Sequence, residues 1–446
     1  MGFIARQSGH TLATSIITKF GLGLLIDVFI SRSLGAEGKG HYFQFVTTIL
    51  LLTSVFGFGI VNGNILLGAS QKLSYPKLIR LSFFFAVAAS LLAAAVLLAG
   101  FDSSWIGYIL PNRKFNTNTL LLLCALPLVF FNLFLTGVVQ AKGDIVFNNQ
   151  ITLISQTAVT VMLGVCFLTG VMTPNVAIAS FVGSILISLI MLVTAYRGEI
   201  RSAIIIPTTF AEAGMLLGSS AAIYLGTVVY MLNLRLDTYF VSYYGGKSDL
   251  GIYSIAIRVA ESIWLVSQSM GGALLPAVVS GNPTAASVTA KLAMLAFVVS
   301  LVLAVSAAVL GQFAIVFLFS ERFAAAALPM LYLLPGAVCL SLTNVFSIYI
   351  VGRGYSWWHT ANLAAALVVT IGLDLWLIPA LGIRGAAVAS SVAYTLTAVV
   401  STVTFFKLSA FSPGDVPGLF VSMQREVVHG IQRTLHGVGR TLRGRV

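Results

Sequence analysis

The sequence predicts an all-α polytopic membrane protein: twelve transmembrane helices in two parallel six-helix repeats around a central cavity. Three observations carry this. Hydrophobic residues fill 58% of the 446 positions and charged residues 9%, against roughly 45–50% apolar and about 25% charged in soluble domains. With a mean hydropathy of +0.99, a soluble globule is excluded. Apolar windows of about 20 residues, the length that spans a bilayer once, recur from end to end. Short motifs of the first half return in the second at an offset of 210 or 211 positions.

In chain order the windows fall at 12–33, 42–68, 78–100, 119–141, 148–170 and 175–196, then at 215–242, 250–279, 288–310, 326–351, 357–379 and 384–408. Gly, Pro or charge clusters bound each one. The expected division is a six-helix lobe over 1–200, a second over 201–410 and a polar tail over 411–446. The first window contains Lys19 and Asp27 and lacks a small-residue cleavage site, so it is expected to remain as a helix. Cys124, Cys166 and Cys339 all lie in apolar stretches, which offers neither a disulfide framework nor a metal cluster.

The formal charge of +12 points first to cytoplasmic loops and anionic lipid, not to nucleic acid. With both termini cytoplasmic, the inner loops carry Arg6, Lys72, Lys77, Arg80, Lys142, Arg197, Arg201, Lys291, Arg353 and Lys407. The outer loops carry Arg32, Lys39, Arg113, Lys114, Lys247, Arg322 and Arg384. Arg425, Arg433, Arg440, Arg443 and Arg445 add to the inner side, which fixes the orientation by the positive-inside rule. Around them, Phe420, Met423, Val427, Ile431, Leu435, Val438 and Leu442 recur every three or four residues. The tail therefore reads as a basic amphipathic helix lying on anionic lipid.

The duplication rests on three matches in order. Asp27-Val28-Phe29 corresponds to Asp237-Thr238-Tyr239, each followed by a Gly-containing loop and then Gly40-His41-Tyr42 or Gly251-Ile252-Tyr253. Ala141-Lys142-Gly143 corresponds to Gly352-Arg353-Gly354, and Val176 to Ser180 corresponds to Ala386 to Ser390. Six spans per repeat make the halves parallel, with the expected substrate path between them near the midplane. Gly57, Gly59 and Gly63 in the second span and Gly271, Gly272 and Pro276 in the eighth mark paired breaks or close helix packing.

Lys19, Asp27, Arg235, Asp237, Arg258, Glu261 and Asp374 fall inside spans, where each charge costs at least ~2.5–3.5 kcal/mol unless it faces protein or water. All but Lys19 and Asp374 form one layer, roughly 8–16 Å below the outer helix ends at 1.5 Å rise per residue. Arg258 and Glu261 share a helix face, whereas Arg235 and Asp237 diverge by about 200°. Lys19, Arg235 and Arg258 are the candidate substrate-binding cations, with guanidinium forks suited to phosphate oxygens. Asp27, Asp237, Glu261 and Asp374 are candidates for coupling a proton or Na⁺, or for fixed ion pairs. Asn62, Asn64, Asn132, Gln156, Asn233, Gln268 and Asn344 read mainly as interhelical hydrogen-bonding groups. Trp357, Trp358 and His359 read as an interfacial aromatic cluster.

The stretch from Ile30 through Arg32-Ser33-Leu34-Gly35 to Gly40-His41-Tyr42 resembles the helix 1–2 segment of bacterial polysaccharide flippases. These form the Wzx-like branch of the multidrug/oligosaccharidyl-lipid/polysaccharide exporter superfamily. Asn233 to Asp237, Gly251 to Glu261 and on to Pro276 is similar to that family's helix 7–8 signature, and Gly382 to Ala389 echoes its helix 12 entry. The resemblance implies two lobes in a V and alternating access. Its expected cargo is an undecaprenyl-diphosphate-linked oligosaccharide, carried from the cytoplasmic to the periplasmic leaflet of the inner membrane. Arg235, Arg258 and Lys19 would then meet the diphosphate, and the polyprenyl tail would pass beside the first and eighth helices. Polysaccharide polymerase and export proteins are the implied partners, with no cofactor and no catalytic residue.

A drug or cation antiporter of the same superfamily would share the fold and favour acidic cavity residues. Inside the proposed spans of this chain cations and acids are nearly balanced. A polytopic glycosyltransferase or polymerase would need a large extramembrane loop bearing carboxylates or histidines. The longest interior loops here are under about 20 residues and nearly acid-free.

Overall fold

The computed structural model describes residues 14, 16–99, 117–269, 271–409, 411 and 414. Among them every regular element is helical. The chain opens with a π-helical stretch, Ile16–Leu22, and continues as α1 (Gly23–Phe56), α2 (Ile60–Ala69), α3 (Tyr75–Ala99), α4 (Thr117–Ala141), α5 (Ile145–Thr169) and α6 (Pro174–Ala195). A short α7 (Arg197–Ile205) leads into α8 (Phe210–Ser269), α9 (Gly271–Val279), α10 (Ala285–Phe319), α11 (Ala327–Gly352), α12 (Ser356–Leu381) and α13 (Ile383–Leu408). Local chemistry sets several of these ends. Pro174 opens α6 at a position that needs no N–H donor, and the Thr173 hydroxyl accepts the Val176 N–H at 3.2 Å.

Eight helices are long and apolar enough to cross a bilayer alone, and two bent pairs join them. Counting each bent pair as one span gives ten candidate crossings among the described residues by length and composition; each pair also contains a backbone break, at Gly35 or Gly246, that falls between two of the twelve windows the sequence predicts. The first pair contains a 55° bend between α1 and α2, where the glycines of the second window break the helix at Gly57–Gly59.

The expected loops around 34–41 and 243–249 do not exist. α1 and α8 instead continue through single non-helical glycines, Gly35 (φ 65°, ψ −167°) and Gly246 (φ 79°, ψ −172°). That backbone region is open essentially to glycine alone. The two glycines stand 211 positions apart, so the repeat extends to backbone conformation. Gly143 (φ 82°) and Gly354 (φ 92°), which close the fourth and tenth passes, share the same offset.

Each half has its own apolar interior, built in the first around Phe130 and Phe134 and in the second around Tyr253, Phe323 and Phe405. Lipid tails are as apolar as leucine, so fixed polar staples help to hold the bundle. Asn64 donates to Ser82 Oγ (2.8 Å) and to the Phe134 carbonyl (3.0 Å), Asn132 to Ser188 Oγ (2.7 Å), and Asn344 to Ser267 Oγ (3.1 Å). Trp357 and Trp358 are exposed at the start of α12, with the Trp358 indole donating to Thr404 Oγ1 at 2.9 Å.

The expected inner-loop cations Lys77, Arg80 and Lys142 gather on one end of the first half. Lys77 meets Glu212 at 2.5 Å, Lys142 meets Glu199 at 2.6 Å, and Arg80 donates to the Ile204 carbonyl at 2.6 Å. The last two contacts tie α7 along the bundle, and the first holds the start of α8. The Lys142 ammonium beside Glu199 holds that carboxyl below its ordinary value. The tail helix expected over 411–446, Arg6, and the outer cations Arg113 and Lys114 lie outside the described residues, apart from Phe411 and Gly414.

Candidate functional site: a charged cavity between the lobes

The two halves cross most closely where Gly40 of α1 meets Gly251 of α8. A Cβ on Gly40 would sit 1.9 Å from the Lys247 carbonyl oxygen, and one on Gly251 would sit 1.8 Å from that of Ala36. Both pairs are related by 211 positions, so this is a two-fold-like backbone seam, possible only without side chains. Around it, Tyr239 donates to Thr48 Oγ1 at 3.2 Å, and Lys247 donates to Gln44 and to Ser242. Arg32 caps the end of α10 through the carbonyls of Phe317 (2.5 Å) and Leu318 (2.8 Å). The lobes are therefore fastened at the Gly35/Gly246 end.

Directly beneath the seam lies a chain of alternating charges. Lys39 pairs with Asp27, and Arg258 Nε donates to the other oxygen of Asp27 at 2.5 Å. Arg258 Nη1 stands 3.9 Å from Glu261, whose second oxygen pairs with Arg235. Asp27 and Lys39 belong to the first lobe and the other three to the second, so Asp27–Arg258 is an ion pair across the lobe interface. Three cations meet two carboxylates, which leaves the network with one excess positive charge.

Lys39 corrects the expectation that it lies in an outer loop. It is 2% exposed, because the turn at Gly35 folds the chain back toward Asp27. A straight helix would hold residues twelve apart at about 18 Å, beyond a salt bridge. Its repeat counterpart is the buried, apolar Leu250. A sequence signal existed in the charge within the Gly35–Gly40 turn, but nothing in local hydropathy distinguishes it from an ordinary loop lysine. Of the carboxylates expected in fixed ion pairs, Asp237 makes none with Arg258, which reaches Asp27 and Glu261 instead.

Arg235, Arg258 and Glu261 line a cavity of about 620 Å³ between α8 and α10, with Leu24 and Leu50 of α1 on the far wall. Most other lining groups are apolar, including Leu234, Trp264, Leu310 and Phe319. Arg235 also stands 5.9 Å from the Phe43 ring across the interface. Its Nε and Nη1 are buried without a protein partner, whereas buried donors are nearly always satisfied. The Arg258 side chain is 39% exposed. The Lys19 side chain lies outside the described residues.

Asp237 and Asp374 occupy a separate buried cluster inside the second lobe. Asp237 accepts from the Tyr253 hydroxyl (2.6 Å) and from Ser390 Oγ (3.0 Å), while its other oxygen has no partner. Asp374 is fully buried, and neither of its oxygens has a partner. The two carboxylates are close enough to interact electrostatically. Arg235 and Asp237 thus face different surroundings, as their helical separation requires. Among the described residues no group of three or more His, Cys, Asp or Glu forms a metal site.

No protein-family model and no curated protein sequence matches the chain. Solved structures do. An inward-facing multidrug resistance MATE-family transporter of the MOP superfamily superposes at TM-score 0.70 and 15% identity, over 89% of this chain and 94% of the other. The lipid II flippase MurJ, in an inward closed conformation, gives TM-score 0.67 at 17% identity over 92% and 90%. A MOP superfamily transporter from Pyrococcus furiosus gives 0.62 at 15% identity over 93% and 96%. At these identities the likeness establishes the fold: this chain folds as the MATE and MurJ transporters of that superfamily do.

Proposed function

We propose that the protein is a flippase that moves an undecaprenyl-diphosphate-linked oligosaccharide across the bacterial inner membrane by alternating access, for polysaccharide export. One observation carries the reading. A guanidinium with two nitrogens that lack a protein partner, Arg235, stands beside a part-exposed second one, Arg258, in a mostly apolar cavity that Glu261 also lines. Such forks match a diphosphate, and an apolar wall suits a lipid carrier. The excess positive charge opposes the cationic cargo of a drug antiporter. Lys19 completes the proposed cationic set.

In this reading the lobes 1–200 and 201–410 rock about the Gly40–Gly251 seam, which faces the periplasm, and both termini are cytoplasmic. The basic tail lies on anionic lipid, and a polysaccharide polymerase and export proteins act downstream. Asp27 and Glu261 serve as ion-pair partners of the cations. Asp237 and Asp374 carry the coupling step. Asp27 has two cations in direct ion pairs, whereas its repeat counterpart Asp237 accepts from the hydroxyls of Tyr253 and Ser390, forms no salt bridge among the described residues, and lies near the unpartnered Asp374. A shared proton or a Na⁺ relieves that repulsion.

Deleting the gene is expected to make lipid-linked oligosaccharide accumulate facing the cytoplasm. Normal arrival of the glycan in the periplasm, in a strain without a redundant transporter, would refute the reading.

A further inference from the structure

A second cavity, of about 380 Å³, lies within the second lobe between α8, α11 and α12. That size falls in the range of roughly 300–1,000 Å³ usual for small-molecule sites. Nine of its fourteen lining residues carry polar side chains, and none is Asp, Glu, Lys or Arg. The pocket is therefore built for hydrogen bonding to a neutral group. Thr343 is 2% exposed, and its hydroxyl has no partner; the His359 Nδ1 is likewise buried and unpartnered. Buried groups left in this way are costly unless water or a ligand satisfies them.

The pocket is not isolated from the charged cavity. Tyr230 and Gln268 line both. Tyr230 is five residues from Arg235, and Gln268 is seven from Glu261, which places them about 7.5 and 10.5 Å along the helix from the charged groups. A pyranose ring joined directly to a diphosphate held by Arg235 and Arg258 would fall opposite Tyr230 and Gln268. Its hydroxyls would then point toward Thr343 and His359.

We propose that this pocket is the subsite for the first sugar of the cargo, and that it selects an uncharged, hydroxyl-rich ring. The proposal rests on the flippase reading. Thr343 supplies a hydrogen bond without charge, Tyr230 an aromatic face, and the absence of cations disfavours an acidic sugar, whose carboxylate would be desolvated unpaired. The aromatic and amide groups at the shared wall hold the ring where the two cavities meet.

The test measures binding to the full-length protein in nanodiscs with three probes: polyprenyl diphosphate, its neutral hexosyl form and its hexuronosyl form. The hexosyl lipid is expected to bind about ten-fold more tightly than the bare diphosphate, and the hexuronosyl lipid no better than the bare one. Thr343→Val, which keeps the shape and removes the hydroxyl, is expected to weaken hexosyl binding about three- to ten-fold and leave bare-diphosphate binding unchanged. Ser347→Leu, which fills the pocket, should do the same without touching Thr343. Equal binding of hexosyl and bare lipids would overturn the subsite while leaving the diphosphate site standing. An equal gain from the hexuronosyl lipid would overturn the selection of a neutral ring. Failure of all three lipids to bind would bring down the flippase reading and the subsite together.

Discussion

Lys39 and Asp27 stand twelve residues apart on α1 and form a buried ion pair, because the chain leaves helical conformation at Gly35 between them. Asp27 also receives Arg258 from the other lobe. One carboxylate thus organises both the fold-back of the first two passes and the contact between lobes.

Removing the carboxylate of such a pair leaves a buried cation uncompensated, at a cost of about 3–5 kcal/mol. Asp27→Asn, which strands the buried Lys39, is expected to lower the unfolding temperature and the membrane abundance of the protein, and Lys39→Met added to it should recover part of the loss. Thermal unfolding in detergent followed by tryptophan fluorescence checks this. An unchanged midpoint for Asp27→Asn would mean that the pair contributes nothing to folding.

The Gly40–Gly251 seam has no room for a methyl group. Gly251→Ala is expected to push the lobes apart at that end and favour the state open there. In a variant lacking Cys124, Cys166 and Cys339 and carrying Ser242→Cys, a membrane-impermeant maleimide should then label the cysteine several-fold faster. Unchanged labelling would show that the seam yields without opening.

Coupling at Asp237 and Asp374 predicts that Asp374→Asn abolishes the dependence of transport on the proton or Na⁺ gradient while sparing binding of the diphosphate lipid. Gradient-driven uptake and equilibrium binding, measured on the same preparation, separate the two effects. A variant that keeps full gradient dependence would restrict Asp374 to a structural role.

The Lys142–Glu199 pair gives a local pH signature. Glu199 has a folded-state value held below its ordinary 4.5, so the pair stabilises α7 fully above that pH and loses its effect as the pH falls further. Protection from hydrogen exchange over residues 197–205, taken relative to the intrinsic amide rate at each pH, should be constant at neutral pH and fall below about pH 4.5. Glu199→Gln should remove that pH dependence. The energetic effect is small because the pair is partly exposed.

Twelve passes and the internal duplication are legible in the sequence because hydropathy and motif spacing are local properties. Arg235, Arg258 and Glu261 are visible as charges in apolar runs, and the structure brings those three into one cavity. The role of Lys39 was hidden, since its burial depends on a single glycine angle that turns an apparent loop into two abutting helices. The partner of Arg258 was hidden for a related reason: Asp27 is 231 positions away, and only the packing of the two repeats selects it over Asp237. His359 reads as part of an interfacial aromatic cluster beside Trp357 and Trp358, and only the packing of α12 against α8 and α11 turns it toward a cavity.

The most direct test reconstitutes the purified protein in liposomes carrying a polyprenyl-diphosphate glycan in one leaflet, and follows its appearance in the other by lectin accessibility. Wild type is expected to equilibrate the lipid across both leaflets, Arg258→Lys to retain part of that activity, and Arg235→Ala or Arg258→Ala to lose it. Glycan lipid confined to its starting leaflet, in wild-type vesicles that do transport an organic cation, would contradict the account.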